Sequence, residues 1–526
     1  MRDFQQIGRS VTLSQNGMCA TSHPLAAKVA VQMLEAGGNA VDAGIAAAMV
    51  LNICEPQMTG LGGDCFALLC PAPGQGFIGL NASGRAPAGL SAARLRAQGH
   101  SAIPDQSADA VTIPGAVDGF VTLSQDHGRL PLAEVLAPAI RYANEGIPVA
   151  PRVAFDWKIA EARLQGRARN RYLLNGKAPK TGQVFAAPDQ ARVLEKIATQ
   201  GRAGFYEGEV AQDMVDTLRA AGGSHRLEDF ANTKCDYVTP ISTVYKGHTL
   251  TELPPNGHGA TALLMANILS HFDLASLAPL GAERIHLEAE AAKLAYDMRD
   301  RFIADPASNQ RLEQFLSADT AAQLAAMIDP AKALHLPNER LEAVHKETVY
   351  LTVVDKDRMA LSLIYSIFHS FGSGLASERF GILLQNRGAG FTLAEGHPNE
   401  AMAGRRPMHT IIPAMLEKPG EFMMPFGVMG GQYQPNGHMH FMSNIADYGM
   451  DVQGAIDAPR SFAQGGELAL ERGHGEALRC RLAGLGHKVI TPETAIGGAQ
   501  AIRIDAQSGV LTGGSDPRKD GCALGY

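Results

Sequence analysis

The change of sequence pattern at Thr348 constrains the fold of this chain more than any other feature. Residues 348–354 read TVYLTVV, a β-branched and aromatic run that favours a strand. DKDR follows as a turn, and MALSLIYSIF at 359–368 favours a second strand. Two such runs around a short polar turn predict a β-hairpin. A strand-rich part of the chain is therefore predicted to begin at Thr348.

The residues before this boundary are predicted to be mainly helical, because apolar residues recur there every three or four positions between Gly/Pro turns. The predicted helices are 41–51, 132–145, 188–199, 208–221, 260–272 and 281–301. The segment 329–345, with Pro330, Pro337 and several charges, has little periodicity. We expect that segment to be an exposed and mobile connection.

The part of the chain after the hairpin is predicted to mix short strands with helices. Strands are predicted near 382–384, 411–415 and 422–428, and helices near 438–448 and 452–458. Helices on both sides of hydrophobic strands predict a layered α/β (α+β) sandwich.

Composition and charge exclude several classes of protein. With 45% hydrophobic and 19% charged residues, and Gly and Pro spread without a period, the 526-residue chain is neither collagen-like nor disordered. The net charge of −7 and the absence of long like-charge blocks argue against nucleic acid as a partner. The apolar run 43–51 is about half of the ~20 residues that span a bilayer, so we also expect no membrane segment.

The N-terminus and the cysteines predict a cytoplasmic protein. The first 17 residues are polar and lack the apolar core of a secretory signal. The seven cysteines are an odd number without a CxxC pair, which argues against a zinc ribbon or a disulfide framework. We therefore interpret them as reduced thiols that mainly fill space.

No motif in the sequence predicts a metal or a cofactor. The Gly60–Gly63 run lacks the Lys-Ser/Thr of a phosphate-binding loop. His438 and His440, with His409 earlier in the chain, have the residue types of metal ligands, but the HxH pair lies in a predicted helix. Residues two apart on a helix point about 200° apart, so we expect no metal site there.

Eight short motifs resemble the γ-glutamyltransferase family, in the family's own order, over practically the whole chain. They are Gly-Gly-Asn-Ala-Val-Asp-Ala at 37–43, Glu-Pro-Gln-Met-Thr-Gly-Leu-Gly-Gly-Asp at 55–64, Ile-Pro-Gly-Ala-Val at 113–117, Pro-Pro-Asn-Gly-His-Gly at 254–259, Phe-Gly-Ser-Gly at 371–374, Arg-Pro at 406–407, Met-Gly-Gly at 429–431 and Ala-Pro-Arg at 458–460. The resemblance implies a four-layer αββα sandwich of the N-terminal-nucleophile hydrolase type.

The resemblance also implies a precursor that cuts itself before its nucleophile. The family's threonine segment aligns with Thr348–Asp355, so cleavage is expected between Glu347 and Thr348. Residues 1–347 would form the large subunit and 348–526 the small one, associated as a heterodimer that could dimerise further. Cleavage frees an α-amino group with a pKa of about 7.7–8, which can act as the base for the Thr348 hydroxyl.

Three further catalytic residues are implied by their place in the family pattern. Ser366 matches a threonine that hydrogen-bonds the nucleophile, and Gly430 and Gly431 match the oxyanion-hole pair. Backbone N–H groups in a Gly-Gly turn can approach a developing oxyanion because no Cβ blocks them. Outside this resemblance, a Gly-Gly pair is usually a turn and Ser366 an ordinary strand serine.

The residues that bind a γ-glutamyl group in the family are largely replaced. Ser83 stands where the family has an Arg, with Arg85 two residues later, and Phe368 replaces an Asn. Gly390 replaces an acid that holds the substrate's amino group. His409 and Thr410 stand in place of a Ser-Ser pair. Arg85, Arg387, His409 and Thr410 are therefore the candidate substrate-binding residues, and Arg is suited to a carboxylate.

These replacements predict a small anionic amide without an α-amino group as substrate. The pattern is similar to a cytoplasmic branch of the family that converts oxamate to oxalate and ammonia during purine-ring catabolism, and also to acylases of the family. One alternative is a γ-glutamyltransferase or glutathione hydrolase, which would release glutamate from a γ-glutamyl anilide. An alternative of another class is a non-catalytic scaffold that never cleaves.

Overall fold

The computed structural model of the protein contains two seven-stranded antiparallel sheets. It describes residue 5 and residues 8–308, 311–335 and 348–526. Sheet I contains, in spatial order, Thr12–Ser14, Leu511–Ser515, Gly498–Asp505, Phe422–Met429, Ala414–Lys418, His248–Glu252 and Ile241–Tyr245. Sheet II contains Cys522–Gly525, Met18–Thr21, Val349–Val354, Ala360–Ser366, Asp64–Cys70, Ile78–Ala82 and Asp236–Val238.

The sheets stack on one apolar layer and carry helices on their outer faces. The inner layer joins Phe66 and Tyr350 of sheet II to Met415 and Ile502 of sheet I. Sheet II packs against Pro24–Glu35, Ala40–Cys54, Ala116–His127, Leu132–Glu145, Pro188–Gln200, Ala203–Tyr206, Gly208–Ala220 and Leu227–Ala231. Sheet I packs against Gly259–Leu269, Ala282–Phe302, Leu312–Phe315, Ala318–Ala325, Gln434–Ala446 and Val452–Asp457. The predicted αββα sandwich is confirmed.

Smaller elements surround this body. Further helices are Ala92–Ala97, Pro151–Ala160, Gly166–Tyr172 and Glu476–Gly484, with 3-10 turns at Ala108–Ala110, Glu161–Arg163, Leu274–Ser276, Arg387–Gly390 and Gly431–Tyr433. Two small sheets pair Ile147–Pro148 with Val184–Phe185, and Ser461–Gln464 with Glu467–Leu470 and Val489–Ile490. Among the described residues, no helix combines the length and apolar character needed to cross a membrane.

Both sheets take strands from both sides of Thr348. Val349–Val354 pairs with Met18–Thr21, and Ala360–Ser366 pairs with Asp64–Cys70. The six predicted helices before Thr348 are all present. The expectation of mainly helical structure, however, missed the seven strands that this part contributes to the two large sheets. Asp64–Cys70 is buried along its whole length, so it lacks the alternation that marks a strand in sequence.

The predicted hairpin is confirmed, whereas two later strand predictions need correction. Val349 lies opposite Tyr365 in the Val349–Val354 and Ala360–Ser366 pair. Residues 382–384 form only isolated bridges within a loop. The strand predicted at 411–415 begins at Ala414, directly after Pro413, which has no N–H to donate to a ladder. Of the predicted connection 329–345, residues 336–345 lie outside the described residues.

The helix Ala40–Cys54 fixes the outer side of the hairpin. The Asn39 side chain caps the first turn, and the Asn39 N–H donates a hydrogen bond to the Asp42 carboxylate, as in a capping box. Gly44 permits close contact with the sheet, because a Cβ there would lie 2.4 Å from Cδ2 of Leu361. The buried Ala-rich helix thus holds the Ala360–Ser366 strand in place.

We expect the buried carboxyl group of Glu55, which accepts a hydrogen bond from Ser22, to make stability depend on pH. Burial raises the pKa of Glu55 to about 7. This contribution is therefore complete below the unfolded pKa of about 4.3 and is lost as pH rises through about 7. In thermal unfolding, Glu55→Gln should gain stability over the wild type at pH 8 and not at pH 4. An equal difference at both values would contradict this.

Candidate active site

Thr348 lies directly before the first hairpin strand, where its side chain faces Ser366. It is 2% exposed, and its Oγ1 donates a hydrogen bond to Ser366 Oγ at 3.2 Å. The hairpin register places Val349 opposite Tyr365, which brings Thr348 level with Ser366 at the end of the partner strand. Two predicted site residues are thus brought together by the hairpin. Glu347, the other predicted cleavage-site residue, lies outside the described part of the chain.

Ser366 Oγ accepts hydrogen bonds from three groups. Besides Thr348, the Phe368 N–H donates to it at 2.9 Å and Arg387 Nη2 at 3.4 Å. Phe368 reaches this position with a φ of +78°, a conformation that is costly for a bulky side chain. This turn directs a backbone N–H at the hydroxyl that contacts the predicted nucleophile.

Arg387 is a buried cation beside these two hydroxyl groups. Its Nη1 donates to Thr410 Oγ1 at 2.8 Å, and its guanidinium lies 4.0 Å from the centre of the Phe368 ring. The side chain is fully buried, and Nε has no hydrogen-bond partner among the described residues. Burial lowers the pKa of Arg387 to about 9, against an opposing effect of Asp64. Such a cation can receive an anionic group, because burial without a counter-charge is costly.

The charge of Asp64 is held by its own set of donors. Its carboxylate accepts hydrogen bonds from the N–H groups of Gly84 and Gly115 and from Gln385 Nε2, at 2.8–3.1 Å. It also pairs with His409 Nε2 at 3.0 Å. Within the described chain, Arg387 forms no ion pair with Asp64 or another acid, so its charge remains open to a ligand.

His409 supports Asp64 and has both ring nitrogens engaged. Nδ1 accepts a long bond from the Ile411 N–H at 3.4 Å, which assigns the proton to Nε2, facing Asp64. Burial, followed by the positive charge of Arg387, lowers the pKa of His409 to about 3, so the ring is neutral. His409 is therefore near the predicted site, but neither nitrogen is free for a substrate carboxylate.

Arg85 is not brought to the same place. Its side chain is 41% exposed and pairs with Asp236 at 3.2 Å and with Asp305 at 3.7 Å. Arg85 also donates a hydrogen bond to the carbonyl of Gly404 at 3.3 Å, and no bond joins it to Thr348 or Ser366 within the described residues. Of the two candidate arginines, the geometry favours Arg387.

The Gly430-Gly431 pair forms a turn that only glycine accommodates readily. Its φ values are +127° and +55°, and a Cβ on Gly430 would lie 3.0 Å from Cα of Gly497. The preceding strand, Phe422–Met429, packs on the hairpin, because a Cβ at Gly427 would meet the Tyr350 ring at 2.3 Å. The turn thus follows a strand that contacts the start of the hairpin.

Sequence reasoning missed the residues that hold this turn. Gln432 follows the glycine pair, and its carbonyl accepts a bond from Tyr296 Oη while its Oε1 accepts one from Arg299 Nη1. Tyr296 and Arg299 lie one turn apart on Ala282–Phe302. The Met-Gly-Gly motif could have directed attention to Gln432, but no local signal marks residues that meet it from a distant helix.

A cavity of about 770 Å³ lies beside the turn that carries Arg387. Gly390, the last residue of the Arg387–Gly390 turn, lines it together with Tyr296, Arg299 and Met408. Its walls come from both sides of Thr348. The HxH histidines do not share a site, since His438 contacts Glu252 and His440 contacts Glu288.

The four-layer fold places the protein in the N-terminal-nucleophile class of amidohydrolases and acylases. Residues 26–526 match the family model for gamma-glutamyltranspeptidase. The chain belongs to this family.

Relatives match the chain over nearly its full length. A glutathione hydrolase-like YwrD proenzyme from Bacillus subtilis is 36% identical, over 97% of this chain and 98% of the relative. An oxamate amidohydrolase proenzyme from Klebsiella pneumoniae is 34% identical, over 98% and 100%. The crystal structure of a cephalosporin acylase from Bacillus halodurans superposes with a TM-score of 0.92 at 37% identity, over 100% of this chain and 99% of that one.

Proposed function

We propose that this chain is a self-cleaving threonine amidohydrolase that acts on a small amide with a carboxylate next to the scissile carbonyl. Oxamate is the smallest such amide, and its hydrolysis gives oxalate and ammonia. The observation that carries the proposal is the Arg387 guanidinium. It is buried, forms no ion pair with a described acid, and donates to Ser366 beside Thr348. The relative described as an oxamate amidohydrolase supports this choice.

The reach of Arg387 favours a short acyl group. Its Nη2 is 3.4 Å from the hydroxyl of Ser366, which is 3.2 Å from Thr348 Oγ1. A carbonyl carbon poised for attack lies about 3–3.5 Å from the nucleophile, so a carboxylate on the adjacent atom stays close to the guanidinium. The carboxylate of a γ-glutamyl group is three carbon atoms further along, where Phe368 already occupies the space under Arg387.

The proposed reaction uses Thr348 as both nucleophile and base. Cleavage of the Glu347–Thr348 bond frees the amino group, which takes the proton from Oγ1 as the hydroxyl attacks the amide. The N–H groups of Gly430 and Gly431 receive the oxyanion, and ammonia leaves with the transferred proton. Water then hydrolyses the threonine ester, releasing the dicarboxylate. Ser366 orients Oγ1, and Arg387 with Thr410 holds the substrate carboxylate.

Cleavage at this bond would divide the chain into a large subunit, 1–347, and a small subunit, 348–526. We propose that they remain one body, because each sheet takes strands from both subunits. The pairing of Val349–Val354 with Met18–Thr21, and of Ala360–Ser366 with Asp64–Cys70, would hold the new N-terminus in place.

A second candidate function is that of an acylase acting on a larger amide. The cavity of about 770 Å³ favours it, because Gly390 places this space at the end of the turn that carries Arg387, where part of a larger substrate could extend. The similarity to the Bacillus halodurans cephalosporin acylase supports the same alternative. The arginine site and the cavity make different demands on the substrate, so a substrate panel separates the two functions.

The decisive experiment compares matched amides on the purified, processed protein. Ammonia release is measured from oxamate and from oxamide, its neutral analogue, and chromophore release from glutaryl and γ-glutamyl p-nitroanilides. Our proposal expects oxamate to have the highest kcat/KM and to exceed oxamide clearly. Preference for the glutaryl anilide would establish the acylase function. Release from the γ-glutamyl anilide alone would support a glutathione hydrolase, contrary to the argument from Gly390.

Arg299→Met is expected to lower kcat about tenfold or more with a smaller change in KM, because Arg299 holds Gln432 next to the proposed oxyanion turn. The kinetics are measured on the best substrate of the panel. Arg301→Met is the matched control, since Arg301 also lines the cavity but is exposed and pairs with Asp297. Equal losses in both variants would assign the effect to the cavity wall instead.

We also propose a cytoplasmic location. The support is the seven cysteines, all of which are free thiols in the structure, as is usual in a reducing compartment. Fractionation of the source cells with an antibody against the protein tests this directly. Recovery of the protein outside the cytoplasm would contradict it.

A further inference from the structure

Three buried side chains bring metal-ligand atoms together on the outer side of sheet I, outside the site described above. His286 and Glu290 lie one turn apart on the helix Ala282–Phe302, and His487 precedes the strand Val489–Ile490. His286 Nδ1 lies 2.7 Å from His487 Nε2, which lies 3.9 Å from Glu290 Oε1. All three ligand atoms fall within 4.8 Å of one another.

Hydrogen bonds orient His286 as a ligand. Its Nε2 lies 2.8 Å from the carbonyl oxygen of Asp329, which can only accept, so Nε2 carries the proton. In the neutral ring this leaves the Nδ1 lone pair directed at His487. A backbone carbonyl behind one ring nitrogen is the usual device that fixes the tautomer of a metal-binding histidine.

The other two ligands, His487 and Glu290, are also held in position. The His487 side chain is 1% exposed, and its Nε2 faces both His286 Nδ1 and Glu290 Oε1. The Glu290 carboxylate is held in position, because Oε2 accepts a bond from the Leu334 N–H at 2.8 Å. Two imidazoles and a carboxylate are a donor set that suits zinc.

We propose that His286, Glu290 and His487 bind one divalent transition-metal ion, with Zn²⁺ the best match. Tetrahedral coordination at about 2.0–2.2 Å would place the ligand atoms about 3.4 Å apart. The two ligand nitrogens, now 2.7 Å apart, must therefore separate by about 0.7 Å while Glu290 moves in. The ion takes the place of the proton between the rings, and His487 then carries its proton on Nδ1 instead of Nε2. Its fourth position is left for water.

Lys293 competes with this ion for the carboxylate of Glu290. Its Nζ lies 2.8 Å from Glu290 Oε1 and 2.9 Å from the carbonyl of Leu334. A metal ion must share the carboxylate with this ammonium group, whose positive charge opposes binding. Removing the charge of Lys293 should therefore tighten metal binding.

The position of the cluster gives the ion a structural role. His286 and His487 are 201 residues apart, on opposite sides of Thr348. A metal ion held by both would link the two subunits that cleavage produces. Because it binds the folded protein, it should raise thermal stability with increasing concentration.

The test uses the full-length purified protein, freed of metal with a chelator and titrated with Co²⁺ and then Zn²⁺. We expect one ion per chain, the visible absorption of four-coordinate Co²⁺, and a rise in the unfolding temperature with Zn²⁺. His487→Gln should lose all three, whereas His474→Gln, a control at another buried histidine of the same subunit, should keep them. Far less than one ion per chain in the wild type would overturn the proposal.

Lys293→Met supplies a second test that does not depend on the fold of the His487 variant. It should bind Co²⁺ several-fold more tightly than the wild type, with an unchanged absorption spectrum. A metal bound at another group of histidines would not respond to Lys293. Unchanged affinity in this variant, or equal binding by folded His487→Gln, would contradict the assignment.

Discussion

Thr348→Ala is expected to leave the protein as one uncut chain of 55.7 kDa, whereas the wild type should appear as two fragments divided before Thr348. The hydroxyl that starts the cleavage is absent in the variant, and the amino group that would serve as base is never freed. Amide hydrolysis should fall by at least about 10⁴-fold, as it does when a covalent nucleophile is removed from a hydrolase. Denaturing mass spectrometry and the amide panel measure the two effects.

Two variants make this result specific. Thr352→Ala removes another buried hydroxyl from the same strand, four residues further on, and should still be cleaved. Thr348→Ser keeps a hydroxyl at the predicted position and should be cleaved, more slowly. An alanine variant that is still cut before residue 348 would show that the Thr348 hydroxyl does not start the cleavage. A folded wild type that stays uncut would lack the free-amine base and would favour the scaffold alternative.

Arg387→Met is expected to raise the KM for oxamate by about 100-fold. A hydrogen bond to a charged group contributes about 1.5–3 kcal/mol, and each 1.4 kcal/mol is a factor of ten in affinity. Hydrolysis of oxamide, which has no carboxylate, should change much less, so the preference for oxamate over oxamide should disappear. Initial rates on the processed protein, with thermal unfolding to verify the fold, measure both.

Arg85→Met distinguishes the two arginines that the sequence offered. Arg85 is half-exposed and already paired with two acids, so its replacement should change the KM for oxamate by less than about threefold. A large effect at Arg85 with none at Arg387 would reverse the assignment of the carboxylate site. Equal losses on oxamate and oxamide in Arg387→Met would show that Arg387 supports Ser366 rather than the substrate charge.

The distribution of the site over the chain explains which residues the sequence could predict. Thr348 and Ser366 belong to one hairpin, whose β-branched strands and polar turn are local signals, and the hairpin register alone brings them together. Arg387 and Thr410 were named as separate candidates, and they meet in a hydrogen bond of 2.8 Å. Arg85 was named on the same grounds, but the fold directs it to surface acids instead.

Other contributions to the site had no local signal. Asp64 is the last residue of the 55–64 motif. The position and charge of its carboxylate nevertheless depend on four partners that are distant from one another in sequence, namely Gly84, Gly115, Gln385 and His409. Tyr296 and Arg299 look like ordinary residues of an amphipathic helix until they meet Gln432. The same holds outside the active site, where His487 meets His286 and Glu290 although no sequence motif connects it to them.

The sequence by itself determined the hairpin at Thr348, the eight predicted helices, the layered architecture and the family, because these follow from local periodicity and contiguous motifs. Tertiary structure alone decided that seven strands from before Thr348 complete both sheets, and that His409 is a neutral partner of Asp64. It also decided that Arg387, rather than Arg85, is the buried cation. Burial and the pairing of groups distant in sequence set the charge and freedom of each side chain, and a linear pattern does not encode which residues will meet.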